Sequence, residues 1–184
     1  MIIYSCNRDT RTADVAADMV IPFLYDIPPE SGIIKQLQSL PEPAAFVVPL
    51  PLRAAKSILT HYGIPFGSIV EQLPSDEKQT AVQETETSVE TQFPPRWYPV
   101  IDDDRCIGCL ECVNFCIFGV YAIGQNDKPV VDKPDACKDG CPACARVCPG
   151  KAIMFPLCEE RQIAGYDDAG ESELAALSGF VDAL

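Results

Sequence analysis

The sequence predicts an α+β chain in two parts, a small α/β layer followed by a compact cysteine-rich module. Three observations predict it. Short apolar runs alternate with helix-like spacing across residues 1–73, the pattern of strands and helices in layers. A Thr-, Glu- and Pro-rich acidic tract interrupts that pattern at 74–95. Beyond it, eight of the ten cysteines fall in two runs between Cys106 and Cys148.

Taken in order, residues 1–5 read as a strand and 10–19 as a short helix. Residues 20–25 read as a second strand, pushed toward a sheet edge by Pro22. Pro28 and Pro29 form a loop. Residues 31–40 have Ile33, Ile34 and Leu37 on one helical face, and 44–48 is a buried strand closed by Pro49 and Pro51. Residues 52–62 repeat helical spacing through Leu52, Ala55, Ile58 and Leu59 until Gly63 stops them. The alternation implies a parallel sheet. The region holds no G-x-G-x-x-G and no phosphate loop. Its His61, the single histidine, reads as a charge at a helix C-terminus, and Cys6 as a buried thiol. The tract at 74–95 reads as an acidic linker, either a tether for the following module or a plain spacer.

Residues 96–101 read as a strand leading into the cysteines, with 102–105 as a turn. After Cys116, residues 119–123 and 129–131 form a hairpin around a turn at 125–128. Residues 152–155 take the same place after Cys148. The two halves thus repeat at 31 or 32 residues, Cys106 to Cys137 and Cys116 to Cys148. The C-terminal extension, 158–184, carries Cys158, read as an inert thiol. It also carries an apolar stripe of Leu174, Leu177, Phe180, Val181 and Leu184, read as a short amphipathic helix packing back on the chain.

The first cysteine run has the spacing C-x2-C-x2-C-x3-C and the second C-x3-C-x2-C-x3-C-P. Three thiolates within seven residues can wrap one face of a metal cluster only if the chain forms a tight loop. The fourth, past the start of a helix, points elsewhere. Pairs of the C-x2-C type also bind zinc, but zinc needs neither eight closely nested thiols nor a closing Cys-Pro.

These runs resemble the bacterial-type two-cluster [4Fe-4S] ferredoxins, and the resemblance covers about residues 96–157. It implies a ferredoxin-like βαββαβ module and two [4Fe-4S] clusters with crossed ligation. One cluster would be held by Cys106, Cys109, Cys112 and Cys148, the other by Cys137, Cys141, Cys144 and Cys116. The chain departs from the family twice. Cys116 is followed by Ile117 where proline is usual, and the gap after Cys137 is one residue longer, with Gly140 inside it. Glycine can adopt the backbone angles that a widened loop asks for.

The implied role is single-electron transfer between redox partners without substrate turnover; the alternative is a fixed electron-wiring subunit of a larger oxidoreductase. Ile107, Val113, Phe115, Ile117, Phe118, Ile123, Val147, Ile153 and Phe155 are expected to furnish a dry shell. Trp97 and Tyr98 read as a cluster shield or ordinary core. Asp102, Asp103, Asp104 and Glu111 read as a docking patch or a solvated turn. The net charge of −13 argues against nucleic acid and favours a redox partner with a basic docking surface. No apolar run approaches a membrane span, and the first residues have no basic leader, so a cytoplasmic setting with reduced thiols is expected.

Overall fold

The structure, a computed structural model, describes residues 1–6, 17–72 and 93–167. Its first part is built on a parallel sheet of four strands: β1 (Ile2–Ser5), β2 (Met19–Ile21), β3 (Ala44–Val48) and β4 (Phe66–Glu71). The order is β2-β1-β3-β4, so β2 lies at an edge, where Pro22 can end it without breaking a ladder. The strand expected over 20–25 is therefore shorter, and Leu24–Asp26 is a turn of 3-10 helix. Most of the helix expected over 10–19 lies outside the described residues, and Met19 begins β2 instead. The sequence reading missed β4, because Gly67 and Ser68 interrupt its apolar pattern.

Helix α1 (Gly32–Gln38) starts at Ser31, whose Oγ accepts from the Ile34 N–H at 3.2 Å, and it buries Ile34 and Leu37. Helix α2 (Leu52–His61) buries Ala54, Ala55, Ile58 and Leu59, while Leu52 faces solvent at its first position. It stops where Gly63 turns left-handed, at φ +64°.

The second part runs β5 (Val100–Ile101), α3 (Glu111–Phe115), β6 (Tyr121–Ile123), β7 (Pro129–Val131), α4 (Ala143–Val147), β8 (Ile153–Met154) and α5 (Arg161–Ala164). Strands β5 and β8 pair antiparallel, as do β6 and β7, the expected hairpin. Helices α3 and α4 pack together and begin 32 residues apart, matching the sequence repeat. Helix α5 was not expected, and the helix expected from the stripe Leu174 to Leu184 lies outside the described residues, as do residues 74–92 of the expected linker. No helix among the described residues is long and apolar enough to cross a membrane.

The two parts share one hydrophobic core. Tyr98, Val100 and Met154 of the second part are buried in the same cluster as Tyr25, Ile58, Leu59 and Tyr62 of the first. Tyr25 and Tyr98 stack with centroids 4.3 Å apart. The Tyr25 hydroxyl also closes two hydrogen bonds with the Tyr98 backbone, donating to its carbonyl at 2.5 Å and accepting from its N–H at 2.7 Å. Asp26 accepts from the Arg96 N–H at 2.9 Å. Arg53 on α2 reaches Asp102 at 3.3 Å and the Lys151 carbonyl at 3.1 Å. The cysteine module is thus seated on α2 and the 3-10 turn of the first part.

Removing the Tyr25 hydroxyl would strand a buried N–H and a buried carbonyl away from water. Tyr25→Phe is therefore expected to destabilise the protein by about 2 kcal/mol. Thermal unfolding should show a drop of roughly 4–8 °C.

Candidate metal centre

The first cysteine run curls because two of its residues are left-handed, Gly108 at φ +70° and Leu110 at φ +59°. Leu110 is a non-glycine residue there, a local strain of about 1–2 kcal/mol that the surrounding loop must outweigh. The curl brings Cys106, Cys109 and Cys112 to the wall of one small cavity. Cys148, from the end of the second run, lines the same cavity, together with apolar Ile101, Ile107, Leu110 and Ile153. It arrives there because α4 ends at Val147 and the chain extends at Cys148 (φ −75°, ψ 111°). The Ala152 N–H donates to Cys148 Sγ at 3.4 Å.

The other four sulfurs form a second neighbourhood. Cys137 lies within the electrostatic reach of Cys144, Cys141 and Cys116, and of Asp139. Gly140, in the longer gap, has φ +68°, the conformation its position called for. Trp97 stacks on Phe155 at 5.2 Å, and its indole N–H donates to the Cys141 carbonyl at 3.4 Å, covering this loop. The buried Tyr121 hydroxyl donates to Cys144 Sγ at 3.1 Å. Sequence reasoning assigned Tyr121 only to a strand. The available signal was a tyrosine at an inward strand position, since a buried phenol finds a partner.

All ten cysteines are free thiols. Burial pushes the Cys112 thiol up to about 11; the Val113 N–H opposes this, and charges on Cys144, Cys148 and Cys106 add to it. Burial pushes Cys137 up to about 12, with Cys144, Cys141 and Cys116 contributing. Cys144 is raised by burial too, against the Tyr121 hydrogen bond. Such thiols ionise readily only against positive charge, which a metal cluster supplies. A set of soft sulfur donors in an apolar surround therefore fits an iron–sulfur group. Among the described residues no three His, Cys, Asp or Glu side chains converge on a single ion. In a multi-iron cluster each thiolate would bind its own iron, so the thiols would not have to converge on one ion.

Several expected residues stand elsewhere. Ile153 and Phe155 are buried, but Ile117 is 88% and Ile107 70% exposed, and Phe115, Phe118, Ile123 and Val147 also face solvent. The short loops and five-residue helices have too little bulk to cover both faces of those side chains. Tyr98 is core, not a shield. Asp102 is buried beside Arg53 and accepts from the Asp104 N–H, so it belongs to neither a docking patch nor a solvated turn. Asp103, Asp104 and Glu111 are exposed, and Asp104 pairs with Lys56 at 2.9 Å. His61 ends α2 on the surface. Cys6, expected to be buried, is only half-buried at the end of β1, and that burial holds its thiol up. Cys158 is half-buried against the core that holds Cys112 and Cys144.

The raised thiols set the sign of the metal-free protein's pH response. In the unfolded chain these thiols lose protons near 9.0, while folding holds Cys112 protonated to about 11 and Cys137 to about 12. Their contribution to folding is complete below 9.0 and is lost as pH rises through the folded values. Urea unfolding of the metal-free protein should show stability falling between those limits, and replacing both residues by serine should flatten the fall.

The 4Fe-4S dicluster domain family matches residues 98–150. An uncharacterized ferredoxin of Methanocaldococcus jannaschii is 46% identical over 61 residues, covering 33% of this chain and 41% of that one. The chain thus spans about two fifths of that relative's length. The thiosulfate reductase electron transfer subunit PhsB of Salmonella typhi is 38% identical over 80 residues, covering 40% of each chain. Ferredoxin-3 of Nostoc is 32% identical over 72 residues, covering 30% of this chain and 73% of that protein. With most of a ferredoxin matched, and the cysteine runs inside the matched stretch, the chain belongs to the ferredoxin-like iron–sulfur dicluster domain family and carries an electron-transfer domain.

Proposed function

We propose that this protein is a fixed electron-wiring subunit of a larger oxidoreductase, holding two [4Fe-4S] clusters in a βαββαβ module. Cys106, Cys109, Cys112 and Cys148 would hold one, and Cys137, Cys141, Cys144 and Cys116 the other. When bound, each cluster takes up and releases one electron at a time. The protein's own part is to fix the sulfurs and place N–H and O–H donors on them. The observation that carries the cluster assignment is the cavity where Cys148 joins the three cysteines of the first run.

The wiring role draws support from the surface around the cysteines. Phe115, Ile117 and Phe118 flank Cys116 and stand open to solvent. Apolar side chains gathered beside a redox centre are what a permanent subunit contact covers. Similarity to PhsB, an electron transfer subunit by name, points the same way. The second reading is a free carrier between redox proteins in the cytoplasm. It is favoured by the net charge of −13, which would steer the chain toward a basic docking surface.

Two experiments test these assignments. Cys148→Ala should lose the cluster of the first run and keep that of the second, with iron content falling by about half. Loss of the second-run signal in site-resolved electron paramagnetic resonance would contradict the crossed scheme. Affinity purification of the full chain from its native cells without oxygen should bring down a catalytic redox subunit in stoichiometric amount. Recovery as a monomer that reduces several enzymes would favour the free carrier.

A further inference from the structure

The two halves of the module are related by a 32-residue shift, which makes their differences informative. The shift carries Cys112 onto Cys144, and the two occupy the same place in α3 and α4. Each cysteine meets the N–H of the next residue, Val113 for Cys112 and Ala145 for Cys144. So far the two sulfurs have the same surroundings. The same shift carries Tyr121 onto Ile153. Ile153 lines the cavity that holds Cys112 and offers it no donor. Tyr121 gives Cys144 Sγ a buried O–H at 3.1 Å. Among the described residues, no side-chain hydrogen bond reaches Cys112 Sγ.

The hydroxyl lies on the second-run set, hydrogen-bonded to Cys144 Sγ. Cys144 and Cys116, of the second-run set, and Cys112, of the first, all act on it electrostatically. Its ring is fixed by burial in the core shared with Cys112, Cys144 and Phe155, and its backbone by pairing with Val131 in the hairpin. Besides the Val113 N–H on Cys112, the first-run set has the Ala152 N–H on Cys148 at 3.4 Å. Both donors are backbone, so they stay constant when side chains are changed.

We propose that Tyr121 is a positioning residue that makes the two halves electronically unequal: its hydroxyl on Cys144 Sγ favours an added electron on the second-run set over the first. The inference rests on the two-cluster reading above. Adding an electron raises negative charge at the ligand sulfurs, and an O–H bond to a more negative acceptor is stronger. The hydroxyl keeps its proton in both states, so one electron moves, from a reduced partner protein, and no covalent bond changes. The effect raises the second-run potential relative to an otherwise matched site. An electron entering the module would then rest nearer Cys116, the cysteine flanked by the exposed Phe115, Ile117 and Phe118.

Tyr121→Phe keeps the ring and removes only the donor. The test is a redox titration of the full chain, followed by electron paramagnetic resonance, with the two signals assigned by Cys148→Ala. The second-run potential should fall and the first-run potential stay, moving the electron's distribution about tenfold toward the first-run set, about 59 mV for a one-electron couple. Site-specific 3-fluorotyrosine at 121, a more acidic phenol in the same volume, should move the second-run potential the opposite way. Two fully loaded clusters with both potentials unchanged in both variants would overturn the role of Tyr121 and leave the two-cluster reading intact. A wild-type protein that takes up fewer than two clusters would overturn that reading and this inference with it.

Discussion

A loop of seven residues can turn three sulfurs toward one point, and the fourth must come from outside the loop. Much of the module follows from that shortage. The first run closes its cavity with Cys148, the last cysteine of the second run, just past the end of α4. For the sulfur to arrive, α3 and α4 must pack together and both chain ends must be held. The pairing of β5 with β8 ties the two ends together, and the β6–β7 hairpin lies between the runs. Cys112 and Cys144 then fall into a single small core with Val120, Ile153 and Phe155. A core of that size buries little apolar surface for its length, which is the usual condition of small domains that lean on metals.

The N-terminal sheet supplies the remaining support. The larger core runs from Ile3 and Phe46 in the sheet, through Ile58 and Leu59 in α2, to Val100 and Met154 in the module. Ile101 of β5 and Ile153 of β8 thus line the sulfur cavity, while Val100 and Met154 face the α/β layer. Arg53 joins the two through Asp102, a carboxylate that is itself almost out of water. Breaking one member of such a buried pair costs more than the pair contributes, so the junction favours a fixed geometry over a swinging one. A fixed geometry suits wiring, because electron transfer between sites depends on their separation. A freely hinged cysteine module would instead suit diffusion between partners.

Much of this was legible in the residues, and the failures have physical causes. Cysteine spacing located the loops, and Gly140 marked the widened one, because only certain backbone angles allow a tight turn around a cluster. Strand and helix alternation gave the parallel sheet, and Pro22 marked its edge. Strand β4 escaped because pairing with β3, rather than its own apolar pattern, makes it a strand. The dry shell was misjudged at Ile107 and Ile117, since apolar character says nothing about which side of a short loop a side chain faces. Asp102 looked like part of a solvated acidic turn; only the fold brings Arg53, about fifty residues earlier, to its side. Tyr121 was invisible as a sulfur partner for a related reason, because its contact with Cys144 spans the two halves of the repeat.

In the proposed arrangement, nested sulfurs from two halves of one repeat cage a pair of iron cubes. Iron and acid-labile sulfide counted per chain, in protein purified and reconstituted without oxygen, test it most directly. Two [4Fe-4S] groups would give about eight of each. A fully loaded protein holding about four irons, or zinc in their place, would contradict it.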